Sequence, residues 1–442
     1  MLSVWNTIWE YILNFWNSTF NFSDVTSTYR SITNIILYIF GIFLFYRTIY
    51  TILGFFGKAP KFQPAEMNKT YAVVIAARNE EKVIGNLIES IRKQTYDSSK
   101  ITIFVVADNC TDHTAEVCRS LGAIVYERQD KEHVSKGFAL EFLFDNIGKD
   151  YGITSYDYYL VFDADNLLKN DFVEKMNDAF ATGFDLVTSF RNIKNFDTNV
   201  ISSGYGIHFY RNTLCSHRPR AILGSSTHIT GTGYGIKSEY LKDGWHYTNL
   251  TEDLEIATIS IAKGLRIGYC EAAEVYDEQP TDFKTAWKQR VRWRKGGLIN
   301  FVHNTPKLIR NFFKKGKWSR YDIFWQNFPY DLVSFLLAFS IQIFGMIYSL
   351  VTTRTYDALI FLKYIGGFLL SAYLGSIGIG ILVVIKERKR IHCGFFKMLF
   401  YLLMWPWFDM ISVLIVLFAL FKRVKWTPIV HNDTKKIEDM KQ

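Results

Sequence analysis

Residues 159–166 read YLVFDADN, an apolar run that ends on two aspartates separated by one alanine. The run is too short for a helix and has the length of a buried strand. Working outward from it, 71–77, 101–107, 122–126 and 185–190 are runs of the same kind. Stretches with helical periodicity lie between several of them. Over 80–93, for example, Val83, Ile84, Leu87, Ile88 and Ile91 fall on one face of a helix. Strands alternating with helices predict an α/β domain with a doubly wound, mostly parallel sheet. Such sheets bind ligands beyond the carboxyl ends of their strands. Asp163 and Asp165 stand at one such end, and Asp108 stands at another, in VVADNCTD.

The flanks of this domain have a different composition. The chain of 442 residues is 17% aromatic and carries a net charge of +9. Much of the Lys and Arg excess sits beside apolar spans, which favours contact with anionic lipid over nucleic acid. Trp5, Ile8, Trp9, Ile12, Phe15 and Trp16 recur near helical spacing and predict a helix on the membrane surface. Residues 32–56 are almost wholly apolar and long enough to span a bilayer. Acidic Glu10 and Asp24 precede this span, and Lys58 and Lys61 follow it, so residue 60 onward is expected in the cytoplasm. The expected division is 1–62 for the surface helix and first span, 63–300 for the α/β domain, and 301–442 for interfacial helices and further spans. Within the last part, 332–351 and 358–385 read as spans and KERKR at 386–390 marks the cytoplasmic side again. The apolar run 395–421 reads either as one kinked span or as a short hairpin turning near Trp405-Pro406-Trp407. The charge rule favours the hairpin, since it keeps Lys422, Arg423 and Lys425 inside. The five cysteines are scattered, with no zinc spacing and no disulfide framework.

Three groups of residues carry chemistry. Asp163 and Asp165, one residue apart after a strand, suit a hard divalent cation bridging to substrate phosphates. They also suit a solvated turn with Asp165 as a helix cap. Thr251-Glu252-Asp253 opens a helical stretch, where acidic residues are favoured by the helix dipole whatever their function. Gln289-Arg290-Val291-Arg292-Trp293 reads as a basic interfacial stretch. Equally, it offers an indole face for sugar C–H groups beside a guanidinium for phosphate.

These signals occur in order, with VVIAARNEE, SKGFAL (135–140) and TGTG (230–233) between or before them. The set resembles the family 2 glycosyltransferases, and among them the membrane synthases of cellulose, hyaluronan and poly-N-acetylglucosamine. The resemblance covers the α/β domain, about half the chain. It implies a GT-A fold, a Rossmann-like sheet, beside an α-helical transmembrane region. It assigns Asp108 to the donor's uracil or ribose, Asp163 to the diphosphate and Asp165 to a divalent metal, Mg²⁺ or Mn²⁺. Asp253 becomes the general base, next to Glu252. Gln289, Arg292 and Trp293 bind the diphosphate and the acceptor end, Lys136 touches the donor, and Thr230 and Gly231 line the acceptor side.

Two departures qualify it. Cellulose synthases carry Phe-Phe-Cys-Gly near the acceptor where this chain has His228-Ile229-Thr230-Gly231. The cyclic-dinucleotide-binding PilZ pattern and the FxVTxK gating loop are missing, and the tail after Phe421 is too short for a PilZ domain. The implied activity is polymerisation of a UDP-sugar onto a growing glycan at the plasma membrane, giving a β-linked polysaccharide that is translocated outward. UDP-glucose is favoured over UDP-N-acetylglucosamine. A glycolipid synthase adding one or two sugars, and a non-enzymatic channel or scaffold, are the other classes. The scaffold would be expected to lack Asp163, Asp165 or Asp253, and all are present.

Overall fold

The computed structural model describes residues 25–315, 318–352 and 358–440, with scattered positions between 9 and 23. The chain divides into two compact units, Met1–Ile49 with Pro329–Leu374, and Tyr50–Phe328 with Gly375–Gln442. The expected surface helix rests on Trp5, Ile8, Ile12 and Phe15, which lie outside the described residues.

The second unit is built on one eight-stranded sheet: β1 (Tyr71–Ala77), β2 (Ile101–Asp108), β3 (Ile124–Arg128), β4 (Tyr158–Asp163), β5 (Leu167–Leu168), β6 (Leu186–Ile193), β7 (Tyr234–Lys237) and β8 (Ile267–Asp277). The order is β3-β2-β1-β4-β7-β6-β8-β5. β1 pairs parallel with β2 and β4, β2 with β3, and β6 with β8, whereas β7 runs antiparallel to β4 and β6. Two antiparallel steps through β7 restore direction, so β1 to β4, β6 and β8 all point their carboxyl ends to one edge. That edge positions everything described below.

Side chains alternate across each strand, and each face of the sheet is covered. Val73 and Ile75 of β1 pack with Leu87 and Ile88 of helix Ile84–Arg92 on one side. Ala72 and Val74 pack with Leu140 and Leu143 of helix Lys136–Asp150 on the other, where helix Glu252–Lys263 also lies. Each fully buried Leu or Ile of this kind contributes roughly 1.5–3 kcal/mol. The expected strand at 122–126 begins later, because Gly122 holds φ +76° in the turn before it. β5, β7 and β8 lie outside the expected strands.

The expected boundary near residue 300 falls inside one long helix, Phe283–Lys315, which also carries the QRVRW run. Tyr330–Thr352, Ile365–Lys386 and Phe395–Phe421 are long and apolar enough to cross a membrane. The apolar run 32–56 is interrupted at Phe45, between helices Val25–Leu44 and Tyr46–Phe56.

The hairpin expected at 395–421 does not form. Phe395–Phe421 is one helix with Pro406 inside it. Packing overrides the turn signal: Trp405 is buried and its indole N–H donates to the Ser376 carbonyl at 3.0 Å. Asp409 is paired along the same helix, with Arg211 at 2.8 Å and the Ser376 hydroxyl at 2.9 Å. Both ends of the helix meet the α/β unit. Lys397 pairs with Asp197 at 2.8 Å, and Lys295 donates to the Leu420 carbonyl. The KERKR cluster is also drawn in: Glu387 pairs with Arg218 at 2.6 Å, and Arg390 pairs with Glu271 of β8 at 3.1 Å.

Candidate functional site at the carboxyl edge of the sheet

The DAD motif reaches the site from the end of a strand, SKG and TED from the start of a helix, TGTG from the turn before β7, and QRVRW from within helix Phe283–Lys315. β4 ends on Asp163. The Asp163 N–H donates to Thr232 Oγ1 at 2.9 Å and to Asn166 Oδ1 at 3.1 Å, which ties the DAD turn to the TGTG turn. Asp165 is buried and accepts from the Glu278 N–H at 3.0 Å. β8 ends on Asp277. One carboxylate oxygen from each of Asp163, Asp165 and Asp277 lies within 4.8 Å of the others.

Charge compensation is uneven across this group. Arg191, at the end of β6, holds Asp277 through Nε at 3.0 Å and through Nη2, and donates from Nη1 to the Thr230 carbonyl at 3.0 Å. Even so, burial raises the Asp277 carboxyl above its ordinary range. Burial raises Asp165 as well, with Asp163 adding to the effect. Asp163 moves the other way: burial opposes ionisation, but Lys136, together with the more distant Arg191 and His431, lowers the pKa. Three crowded carboxylates, two of them held above the ordinary carboxyl range and all offering oxygen ligands, fit a hard divalent cation.

Lys136 sits at the centre. Its Nζ lies 2.5 Å from Asp163 Oδ1, 2.8 Å from the Gly231 carbonyl and 3.7 Å from Glu252 Oε1. Its position is fixed by the SKG motif. The Ser135 hydroxyl caps helix Lys136–Asp150 by accepting from the Phe138 N–H. A Cβ on Gly137 would approach the Tyr247 carbonyl oxygen to 2.4 Å, so only glycine lets this helix start against the segment leading to Thr251-Glu252-Asp253.

Glu252 and Asp253 open helix Glu252–Lys263. Burial pushes both carboxyls up, while Lys136 pulls both down. A Cβ on Gly231, whose φ is +81°, would lie 3.9 Å from Asp253 Oδ2, so the TGTG turn borders this carboxylate. Arg292 donates to the Leu250 carbonyl at 2.9 Å, just before Glu252. Gln289 keeps a buried side-chain oxygen with no hydrogen-bond partner among the described residues. Trp293 is half-buried and edge-packed on Tyr205 and Phe209 at 5.7 and 6.1 Å between ring centres. Asp108, at the end of β2, is buried and paired with Arg128 at 2.6 Å.

The structure therefore places the DAD, SKG, TGTG and TED residues around one crevice. It adds Asp277 and Arg191, which sequence reasoning missed. Asp277 had a findable signal, since EVYD at 274–277 repeats the strand-then-aspartate pattern of VFD. Arg191 follows directly on an expected strand.

Comparison with known proteins agrees with this geometry. The sequence profile described as "Glycosyltransferase like family 2" matches residues 68–296. A probable glycosyltransferase of Bacillus subtilis, YdaM, is 24% identical over 80% of this chain and 83% of its own length. The poly-β-1,6-N-acetyl-D-glucosamine synthase of Staphylococcus aureus is 26% identical over 61% of this chain, a match that spans 63% of that relative. Among solved structures, the mannosyltransferase PcManGT from Pyrobaculum calidifontis, determined with GDP-mannose and Mn²⁺, superposes with a TM-score of 0.53. It shares 15% identity and covers 81% of this chain and 98% of its own. That likeness supports the GT-A fold.

Proposed function

Since the chain belongs to glycosyltransferase family 2, and is by that membership a hexosyltransferase, we propose that it polymerises sugar from a UDP-sugar into a β-linked polysaccharide at the plasma membrane. The α/β domain faces the cytoplasm in this reading. The observation that carries it is the meeting, at one sheet edge, of three carboxylates suited to a cation with a separate, half-buried carboxylate, Asp253. The S. aureus relative is a polymer synthase, which supports a polymeric product. It also favours UDP-N-acetylglucosamine as the first donor to test, ahead of the UDP-glucose suggested by glucan-synthase likeness.

Roles follow from position. Asp163, Asp165 and Asp277 would hold Mg²⁺ or Mn²⁺, which neutralises the leaving diphosphate. Asp108, at the end of β2, takes the nucleoside. Lys136 orients Asp163 and keeps the Glu252 carboxylate compensated. Asp253 accepts the proton of the acceptor hydroxyl as that oxygen attacks the anomeric carbon from the side opposite the diphosphate, which inverts the configuration. Gln289 and Arg292 border the diphosphate, and Trp293 offers the exposed part of its ring to the acceptor sugar.

The test supplies purified protein with UDP-N-acetylglucosamine or UDP-glucose and Mn²⁺ or Mg²⁺, then digests the product with linkage-specific hydrolases. A lipid carrying only one or two sugars would overturn the polymerase reading.

A further inference from the structure

Helix Glu252–Lys263 opens at the TED residues and closes at Gly264, which holds φ +94°. Its 12 residues carry it away from the carboxylates by roughly 18 Å, at about 1.5 Å per residue. At that far end, beside the first residues of β8, lies a cavity of about 190 Å³. Phe184, Ser226, Gly264, Arg266, Ser319 and Arg320 line it, and its described lining contains no acidic residue. The carboxylate next in sequence, Asp185, is taken up by the Arg266 backbone N–H at 2.7 Å and by the Tyr240 hydroxyl.

Neither guanidinium forms an ion pair among the described residues. Arg320 is only 3% exposed. Its Nε and Nη2 both donate to the Ala262 carbonyl at 3.3 Å, which offsets the negative end of the helix. Its Nη1 is buried with no hydrogen-bond partner among the described residues. Arg266 stacks on the Phe184 ring, 4.7 Å from its centre, and that contact leaves its N–H groups unused. A buried cationic donor without an acceptor is costly, and an anion in the adjoining space would relieve it. Hydroxyls border the same space. Ser226 Oγ accepts from the Ile267 N–H at 3.2 Å, so its own proton remains to be donated, and Ser319 Oγ accepts from the Ser226 N–H at 3.2 Å. Two guanidinium groups and a hydroxyl donor, brought from three segments of the chain, match the several oxygens of a phosphate group.

The position favours one source of phosphate. Ser319 and Arg320 belong to helix Trp318–Asn327, and Trp318 Nε1 donates to the Tyr50 hydroxyl at 2.8 Å. Tyr50 lies in helix Tyr46–Phe56, the end of the apolar run 32–56. A wall of the cavity is thus fastened to the end of an expected span, the level at which lipid phosphates are concentrated.

We propose that this cavity is a second, non-catalytic anion site, in which Arg266 and Arg320 hold the phosphate group of an anionic lipid or of free phosphate.

The test titrates inorganic phosphate and, separately, short-chain phosphatidylglycerol onto the full chain in neutral detergent. EDTA is present throughout, so that the three-aspartate site holds no cation. At least one of the two should bind saturably. Arg266→Gln, at an exposed position, should weaken that binding by about tenfold or more, the scale of a charge-assisted hydrogen bond. Arg320→Lys keeps a cation for the Ala262 carbonyl but loses the forked donor, and should weaken binding severalfold. Lys263→Gln removes an exposed cation of the same helix that does not line the cavity, and should leave affinity within about twofold. Tighter binding of phosphatidylglycerol, with the same dependence on both arginines, identifies the lipid headgroup as the ligand. Equal affinity for the two identifies the phosphate alone. No saturable binding of either overturns the proposal, as does an affinity indifferent to both arginine substitutions. An equal loss in Lys263→Gln also overturns it, because surface charge would then account for the binding.

Discussion

Lys136 is the group whose removal tests the arrangement of the site most directly. Lys136→Met keeps the stem's bulk and deletes only the ammonium. That ammonium is 2.5 Å from Asp163 and 3.7 Å from Glu252, and its side chain is 14% exposed. At an effective dielectric of about 20, those separations correspond to attractions of roughly 6–7 and 4–5 kcal/mol. Desolvation of the three charges offsets much of this, and removing one partner of such a buried pair costs about 3–5 kcal/mol net. For a domain of this size, that is a fall in Tm on the order of 6–20 °C. The assay is thermal unfolding in detergent, followed by intrinsic fluorescence, with and without Mn²⁺. The cation should reduce the deficit, because Asp163 belongs to both the lysine and the carboxylate group. Transfer should fall with the loss of Asp163's orientation. A change in Tm below about 2 °C would refute the claim that Lys136 compensates these carboxylates, and an equal deficit with and without Mn²⁺ would refute the sharing of Asp163.

EDTA should abolish transfer, and Mg²⁺ or Mn²⁺ should restore it; full activity in chelator would reject the three-aspartate site. Asp253→Asn should bind UDP normally and lose about 10²–10⁴-fold in turnover, the usual worth of general-base catalysis. Because burial raises the Asp253 pKa and the base works only when deprotonated, the acidic limb of kcat should sit above the ordinary carboxylate range and vanish from the residual activity of the variant. Trp293→Ala should leave UDP affinity within a few-fold while polymer synthesis collapses; a matching loss of UDP affinity would place the indole on the donor side, and a large loss of stability would assign it to packing on Tyr205 and Phe209 instead.

The parallel half of the sheet is legible because its strands are continuous apolar runs bounded by turns, the pattern of strands buried on both faces. β7 is legible to no such rule. Tyr234–Lys237 carries a glycine and a lysine, and it becomes a strand because β4 and β6 present open edges on either side of it. β8 hides its regularity at a register shift opposite Ser189 and Phe190. The Trp405-Pro406-Trp407 turn signal misleads for a related reason. Local propensity there is weaker than the burial of Trp405 and the pairing of Asp409, and neither partner is near in sequence.

The same distinction separates the parts of the site. Asp163, Asp165, Asp108, Glu252 and Asp253 each sit at the end of a strand or the start of a helix, positions that sequence patterns locate one element at a time. Lys136 and Gly231 are carried by short motifs whose meaning lies in the close approach they permit. Glu80 and His431 meet across 351 residues, through contacts made by a stretch with almost no regular structure. No periodicity or spacing encodes such a meeting. It arises because Ile437 and Met440 bury themselves beside Tyr276, one residue before Asp277, so the chain between them and Phe421 must cross the crevice. Hydrophobic anchoring at one end of the segment thereby sets the His431 imidazole against Glu80 at the other, a pairing no local pattern could specify.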